Sequence, residues 1–231
     1  FSYLPRKFKF AMTAAPSDRA AIKFHDIGLK AVQNAEGEIG WEVWVGGGMG
    51  RTPMVAKLIR PFVEHENLLA YSESIVRVYN RYGRRDNKFK ARIKILVHEL
   101  GIEKMRQEVE AEYALTKGGQ LTLPQEELDR ITEYFKPPEF ELVNVTQLDV
   151  AREKAADPAY GEWLERNLHS HKQPGYASVT ISLKPIGGAP GDCSADQMDA
   201  VANLAERYSF DELRVTHAQN RPMACGNIPV Q

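Results

Sequence analysis

Cysteine is scarce in this chain, and both a surplus of one charge sign and long apolar runs are missing. Its 231 residues include only two cysteines, Cys193 and Cys225, which by themselves make neither a disulfide framework nor a metal site. Lys and Arg number 30 against 31 for Asp and Glu, so the overall charge indicates neither a nucleic-acid nor a membrane partner. No run approaches the roughly 20 apolar residues that cross a bilayer.

What is present is an ordinary globular composition, with 43% hydrophobic and 26% charged residues. This excludes a collagen-like or wholly disordered chain, and the length allows one large domain or two small ones. The first residues, Phe1 to Pro5, have the pattern of neither a signal nor a transit peptide. Because the chain starts without Met and stops abruptly at Gln231, we expect it to be an internal piece of a longer protein.

The first half of the sequence predicts strands followed by helices. Alternating polarity or short apolar runs predict strands over 7–12, 25–31 and 40–45. Helical spacing of apolar residues predicts helices over 67–82, 90–100, 103–114 and 125–135, with Gly83 as the C′ residue of the first. The region 136–171 has a weaker pattern and is interpreted as a connector that wraps around the protein.

The last segment predicts a compact βαβ-type unit. Residues 177–183 alternate as a strand, Ser194 is expected to cap a helix over 195–208, and 213–216 predict a second strand. The predicted fold class is therefore α+β.

Two lysines lie at the start of the first predicted strand, one on each side of Phe8. On a strand, Lys7 and Lys9 lie on the same face, where their ammonium groups repel each other. Such a face is tolerable if it is solvated, as on an exposed edge strand, or if an anion lies between the two charges. Both interpretations stay open on this pattern alone.

A glycine-rich loop follows the third predicted strand. The residues Gly46, Gly47 and Gly48, with Arg51 shortly after them, allow backbone N–H groups to converge on an anion such as a phosphate or carboxylate. The loop is neither GxGxxG nor a P-loop, so it indicates no nucleotide class. A flexible turn explains the glycines equally well.

A basic run crosses the junction of the first two predicted helices. Between Arg77 and Lys94 it has eight basic residues against Asp86. Such runs usually form a solvated face, but together with the lysine pair and the glycine loop this one predicts a single polyanionic ligand. Nucleic acid is disfavoured, because aromatic residues do not interleave as a stacking platform requires.

These motifs together resemble the sulfite/nitrite reductase haemoproteins, which use sirohaem coupled to a [4Fe–4S] cluster. The segment Tyr3-Leu4-Pro5-Arg6-Lys7-Phe8-Lys9 resembles the signature strand of that family. Val45 to Gly48 is similar to its sirohaem-contacting glycine loop, and 83–94 to its basic helix junction. Further similar stretches are 163–167, 171–176 and 214–220, so the resemblance runs across essentially the whole chain.

The resemblance implies a sirohaem-binding α+β lobe at 1–115, a connector at 116–175 and a partial ferredoxin-like repeat at 176–231. It implies that Lys7 and Lys9 are substrate-side catalytic cations. The cofactor-binding positions that it implies are Arg6, Gly46, Gly47, Gly48, Arg51, Arg84, Arg85, Asn87, Lys88, Lys90, Arg92, Lys94, Gln219 and Asn220. Not every member of the basic run is expected to contact the cofactor.

The chain departs from the family pattern in its cysteines. The family's four cluster ligands, in two spaced pairs, have no counterpart here, so Cys193 and Cys225 are interpreted as ordinary thiols, and the cluster ligands are expected outside this chain. Two substrate-side arginines of the family are also missing. The segment 221–226 replaces an aliphatic strand, and its proline predicts an altered strand end.

We therefore expect a portion of a cytoplasmic, assimilatory reductase that converts sulfite to sulfide or nitrite to ammonia with six electrons. The isolated chain is expected to be inactive, and the electron donor to be ferredoxin or a flavoprotein. Two alternatives stay open: a non-catalytic module whose basic face binds another polyanion such as RNA, and a structural lobe without a ligand of its own.

Overall fold

The chain divides into two units, Phe1–Phe135 and Lys136–Gln231. The computed structural model describes residues 1–140, 152, 154–184, 187–215 and 222–229. Both units mix helices and strands, which confirms the α+β class. The predicted domain boundaries after 115 and 175 stay predictions. Among the described helices, none combines the length and apolarity of a bilayer span.

The first unit contains a four-stranded sheet. Its strands are β1 (Phe10–Thr13), β2 (Ile27–Gln33), β3 (Ile39–Val45) and β4 (Lys57–Glu64), in that order. β1 is parallel to β2, whereas β3 is antiparallel to both β2 and β4. The ends of β1, β2 and β3 meet at one place, because Ile27 pairs with both Phe10 and Val45.

The first strand begins later than its alternating pattern predicts. β1 starts at Phe10, so Lys7 and Lys9 precede the strand, and the prediction that they lie on it is wrong. The physical reason is the amide of Lys9, which donates to the carboxylate of Asp26 at 2.8 Å. A side chain therefore takes the place of a strand partner at this residue.

Four helices follow the sheet in the first unit. They are α1 (Leu68–Tyr82), α2 (Ile93–Leu100), α3 (Ile102–Thr116) and α4 (Gln125–Glu133). The four predicted helices are confirmed, with the start of α2 moved from Lys90 to Ile93. Apolar residues of α1, α2 and α3 join those of β2, β3 and β4 in one core, at the centre of which Ile75 and Tyr79 are fully buried.

The strand β4 is absent from the sequence-based prediction. It contains Pro61, and a proline within an apolar run normally argues against a strand. The sheet accommodates this residue because β4 is an edge strand and its register with β3 shifts between the pairs formed by Trp41 and Val43. The irregularity falls where the proline has no N–H to donate.

The second unit has a sheet of its own. Its elements are α5 (Pro158–Asn167), β5 (Leu168–Ser170), β6 (Tyr176–Thr180), α6 (Ala195–Tyr208), β7 (Arg214–Val215) and β8 (Pro222–Pro229). The strands lie in the order β5-β6-β8-β7, and each neighbouring pair is antiparallel. β6 and β7 are therefore parallel to each other with β8 between them, which is a split form of the predicted βαβ unit.

The helix α6 has the bounds that the sequence predicts, and its cap is confirmed. The hydroxyl of Ser194 accepts from the amide of Gln197 at 3.2 Å, while the Gln197 side chain accepts from the Ser194 amide at 3.0 Å. This capping box satisfies two amides at the helix start. The proline-containing end also forms a strand, since Pro222 occupies the first position of β8, where its missing N–H is tolerated.

Candidate functional site

The segment that carries the lysine pair is held by its backbone and leaves its cations in solvent. The hydroxyl of Tyr79 lies 3.1 Å from the carbonyl of Arg6 and 2.8 Å from that of Ala91. Burial raises the pKa of Tyr79 to about 12, so the phenol stays a donor at neutral pH. The side chains of Arg6, Lys7 and Lys9 are exposed, and their charges are available to a ligand.

The basic junction contacts the same segment from the other side. The guanidinium of Arg85 donates to the carbonyls of Tyr3 at 3.1 Å and Asn80 at 2.8 Å, and it lies over the Tyr3 ring. Arg84 is paired with Asp86 at 2.7 Å. Arg85 therefore anchors the chain start, and Arg84 is partly neutralised by its neighbour.

The glycine loop owes its composition to close packing within the protein. Gly46 has φ +87°, and its amide donates to the carbonyl of Asp26 at 2.9 Å. A Cβ on Gly47 would lie 2.3 Å from the carbonyl oxygen of Lys23. Gly48 exchanges two backbone hydrogen bonds of 2.9 Å with Met54. The positive φ of Gly46 and the close approach at Gly47 account for these two glycines without a ligand.

The later part of the loop still offers amides to an anion. Among the described groups, the amides of Met49, Gly50 and Arg51 have no acceptor. Arg51 itself is exposed. The anion-binding interpretation therefore fits 49–51 better than the three glycines in front of it.

Lys94 holds this loop from the first turn of α2. Its buried amine donates to the carbonyls of Met49 at 2.9 Å and Thr52 at 2.6 Å. Burial lowers the pKa of Lys94, and the neighbouring Arg92 lowers it further. The amine is thus used by the protein's own backbone and shapes the loop from within.

Asp26 is a residue of the candidate site that the sequence reasoning missed. It is fully buried, and its carboxylate accepts from Nε and Nη2 of Arg92 at 2.9 and 2.5 Å and from the amide of Lys9 at 2.8 Å. Its backbone carbonyl accepts from Gly46. A lone acid at the start of the apolar strand β2 was the available signal. Through it the structure brings the lysine segment, the glycine loop and the start of α2 together.

The other predicted positions differ in how far the protein uses them. Asn87 accepts from the amide of Phe89 at 3.0 Å, and Lys88 lies over the Phe89 ring. Of the predicted positions that the structure describes, five have side chains with no protein partner: Arg6, Lys7, Lys9, Arg51 and Lys90. Gln219 and Asn220 lie outside the described residues.

The arrangement fits an anionic macrocycle better than it fits a metal cluster. Exposed cations and free amides are the donors that several carboxylates on one ligand require, and sirohaem is such a polycarboxylate. By contrast, the described residues contain no group of three His, Cys, Asp or Glu side chains that could hold a metal. Cys193 is a free, partly buried thiol. The described residues thus do not fit the [4Fe–4S] cluster.

Comparison with protein families identifies both halves of the chain. The family described as nitrite and sulphite reductase 4Fe-4S domain matches residues 1–117, which include every described position of the candidate site. The family described as nitrite/sulfite reductase ferredoxin-like half domain matches 169–220, in agreement with the predicted ferredoxin-like repeat.

Individual relatives match about half of the chain. A protein of Synechococcus elongatus named sulfite reductase [ferredoxin] is 41% identical over 116 residues, which cover 47% of this chain and 19% of that protein. A protein of Methylorubrum extorquens named sulfite reductase [NADPH] hemoprotein beta-component is 37% identical over 117 residues, with the same coverage of 47% and 19%. The match therefore spans about a fifth of these relatives.

A solved structure matches the whole chain in fold. The NirA protein of Mycobacterium tuberculosis aligns over 100% of this chain and 34% of its own, with a TM-score of 0.63 and 24% sequence identity. At this identity the likeness shows the fold, and it extends to both units.

Proposed function

We propose, on the premise that this chain belongs to the nitrite and sulphite reductase family, that it forms the part of a reductase that binds sirohaem and the anionic substrate. The reaction that we propose for the complete enzyme is the six-electron reduction of sulfite to sulfide or of nitrite to ammonia. Because the chain spans only a fraction of its relatives, activity belongs to the larger protein in this proposal, and the chain alone is inactive.

The observation that carries the proposal is the convergence at Asp26. There the segment that carries the exposed Lys9 meets the glycine loop and the partly exposed cation Arg92. Like charges repel one another, so such a group is best compensated by a ligand of high negative charge. A macrocycle with several carboxylates and a small oxyanion on top of it meet that requirement.

The two lysines have a distinct role in this proposal. The exposed amines of Lys7 and Lys9 attract the oxyanion and hold protons at Nζ that its oxygens need in order to leave as water. Sirohaem, when bound, supplies the iron at which the anion is reduced. Arg6, Arg51 and Lys90 donate to its carboxylates, together with the free edge of Arg92.

The remaining components are proposed by class. The cluster ligands are proposed to lie outside this chain, since its sequence has two cysteines and such a cluster needs four thiolates. We propose a ferredoxin or a flavoprotein as the electron donor, because the relatives of this chain include one named for ferredoxin and one named for NADPH. We propose a cytoplasmic enzyme.

A chimeric enzyme tests the proposed roles. Residues 1–117 replace the matching segment of the Synechococcus elongatus sulfite reductase, and Lys7→Ala and Lys9→Ala are compared with Lys104→Ala, a surface lysine that pairs with Glu108 on α3. We expect each site variant to lower kcat for sulfite by about 10²-fold, the range of a lost proton donor, with sirohaem content unchanged. Lys104→Ala should leave both values unchanged.

Three outcomes contradict parts of the proposal. Full activity in both site variants removes the catalytic role of the lysines. Loss of sirohaem absorbance in the site variants would show that the lysines bind the cofactor instead of the substrate. A folded chimera that lacks sirohaem although the host makes it contradicts cofactor binding itself. Comparing kcat/KM for sulfite and nitrite in the active chimera assigns the substrate.

A further inference from the structure

Asp26 is fully buried, and its carboxylate joins the segment that carries the two lysines, on the substrate side, to Arg92 at the start of α2, on the cofactor side. A buried carboxylate is costly unless a cation and further donors compensate it. Here Arg92 and the amide of Lys9 supply that compensation. The partners of Asp26 are thus themselves members of the candidate site.

The contact with Asp26 fixes how Arg92 faces outward. The guanidinium is planar, and Asp26 occupies its Nε–Nη2 edge. Nη1 has no acceptor among the described residues, and 23% of the side chain is exposed. A Cβ on Gly48 would lie 3.8 Å from Nη2, so the guanidinium lies beside the glycine loop. Because the guanidinium is planar, fixing its Nε–Nη2 edge also fixes the direction in which Nη1 points.

The same carboxylate fixes the position from which Lys9 extends. Its amide is bound to Asp26, and its carbonyl accepts from Ile27 at 3.2 Å. Tyr79 holds the segment at Arg6. The backbone is therefore fixed on both sides of Lys7 while the side chains remain free.

We propose that Asp26 is a positioning residue that fixes both the orientation of the Arg92 guanidinium and the position of the Lys9 backbone. It thereby keeps constant the distance between Arg92, on the cofactor side, and the Lys9 backbone, on the substrate side. The inference rests on the proposed function of the site. Asp26 acts through these two residues and contacts neither ligand itself.

A sirohaem titration of the 231-residue chain, followed by visible absorbance, tests the link to Arg92. Asp26→Asn keeps the size of the side chain but replaces one acceptor oxygen with an NH₂ donor. This donor then faces one of the two N–H donors of Arg92 that bind Asp26 in the wild type. We expect roughly tenfold weaker binding, as for one charge-assisted hydrogen bond. The matched control is Glu110→Gln, which alters a second ion pair, 2.8 Å from Arg60, and should leave affinity within about twofold.

A double-mutant cycle separates positioning from general damage. If Asp26 acts through Arg92, Asp26→Asn should change affinity less than about twofold in an Arg92→Ala background. Thermal unfolding of each variant establishes that it is folded during the titration. Wild-type affinity in Asp26→Asn, or an undiminished loss in the Arg92→Ala background, overturns the inference.

A measurement without ligand tests the link to Lys9. Asp26→Ala removes the acceptor of the Lys9 amide, so hydrogen exchange at this amide should be at least about tenfold faster, while Glu110→Ala leaves it unchanged. Equal exchange in wild type and Asp26→Ala overturns the inference; if Asp26→Ala does not fold, Asp26→Asn takes its place. A folded wild-type chain that takes up no sirohaem contradicts the proposed function, and the exchange data then still decide the positioning role.

Discussion

Single residues of the basic run differ in burial and in hydrogen-bond partners in the folded chain, although all of them are basic. Lys94 is buried and donates to two loop carbonyls, and Arg85 donates to the carbonyls of the chain start. Lys90, by contrast, is exposed and has no partner among the described residues. Which cations satisfy the protein and which remain for a ligand depends on tertiary contacts, so charge counting alone identifies the run but not its binding members.

Tyr79 yields a prediction about single hydroxyl groups. Tyr79→Phe leaves the carbonyls of Arg6 and Ala91 without their donor in a buried place, which costs about 1–3 kcal/mol of the free energy of unfolding. Tyr82→Phe on the same helix is the control, because its hydroxyl contacts Glu108 at the surface and should matter by less than about 0.5 kcal/mol. Urea denaturation measures both. Equal effects would contradict the anchoring role of Tyr79.

Among the elements, helices were easier to predict than strands. The predicted bounds of α1 and α6 lie within one residue of the observed ones. The helix α1 buries a continuous apolar face, and α6 begins at a capping box, so each has a local signal in the sequence. The strand β4 was not predicted because Pro61 interrupts its pattern, although an edge strand tolerates a proline. The helix α5 was also not predicted, although Asp157 followed by Pro158 is a helix start signal. In the structure the Asp157 carboxylate does cap the amides of residues 159 and 160.

The end of α1 gives a prediction for an element boundary. Gly83 has an ordinary φ of −64°, so it is needed here for space rather than for a left-handed turn. A Cβ would lie 2.5 Å from Cγ of Pro5 and 2.6 Å from the carbonyl of Tyr79. Gly83→Ala should therefore displace the chain start and lower the free energy of unfolding by about 1–3 kcal/mol.

A glycine within a helix is the matched comparison. In α5, a Cβ on Gly161 would approach no heavy atom closer than 3.4 Å, and Ala is the better helix former by roughly 0.5–1 kcal/mol. Gly161→Ala should stabilise its unit while Gly83→Ala destabilises the other. Thermal unfolding of the two variants compares the signs, and stabilisation by Gly83→Ala would show that Pro5 does not pack on this helix end.

For the whole molecule, a net charge of −1 conceals a local excess of cations. The pieces of the candidate site could be predicted, since the lysine segment, the loop and the basic junction each have a sequence pattern. Their convergence could not, because it depends on Asp26, a single acid that joins residues 17 and 66 positions away. Long-range contacts of this kind leave no periodic signal.

The central claim is that this chain binds a polycarboxylate macrocycle through its free cations. The most direct measurement is an absorbance titration of the 231-residue chain with sirohaem, in wild type, in Arg6→Ala combined with Arg51→Ala, and in Lys104→Ala. We predict saturable binding that weakens with added salt, is at least about tenfold weaker in the double variant, and is unchanged in Lys104→Ala. A folded chain that binds no sirohaem, or that binds it equally well without the two arginines, would contradict the claim.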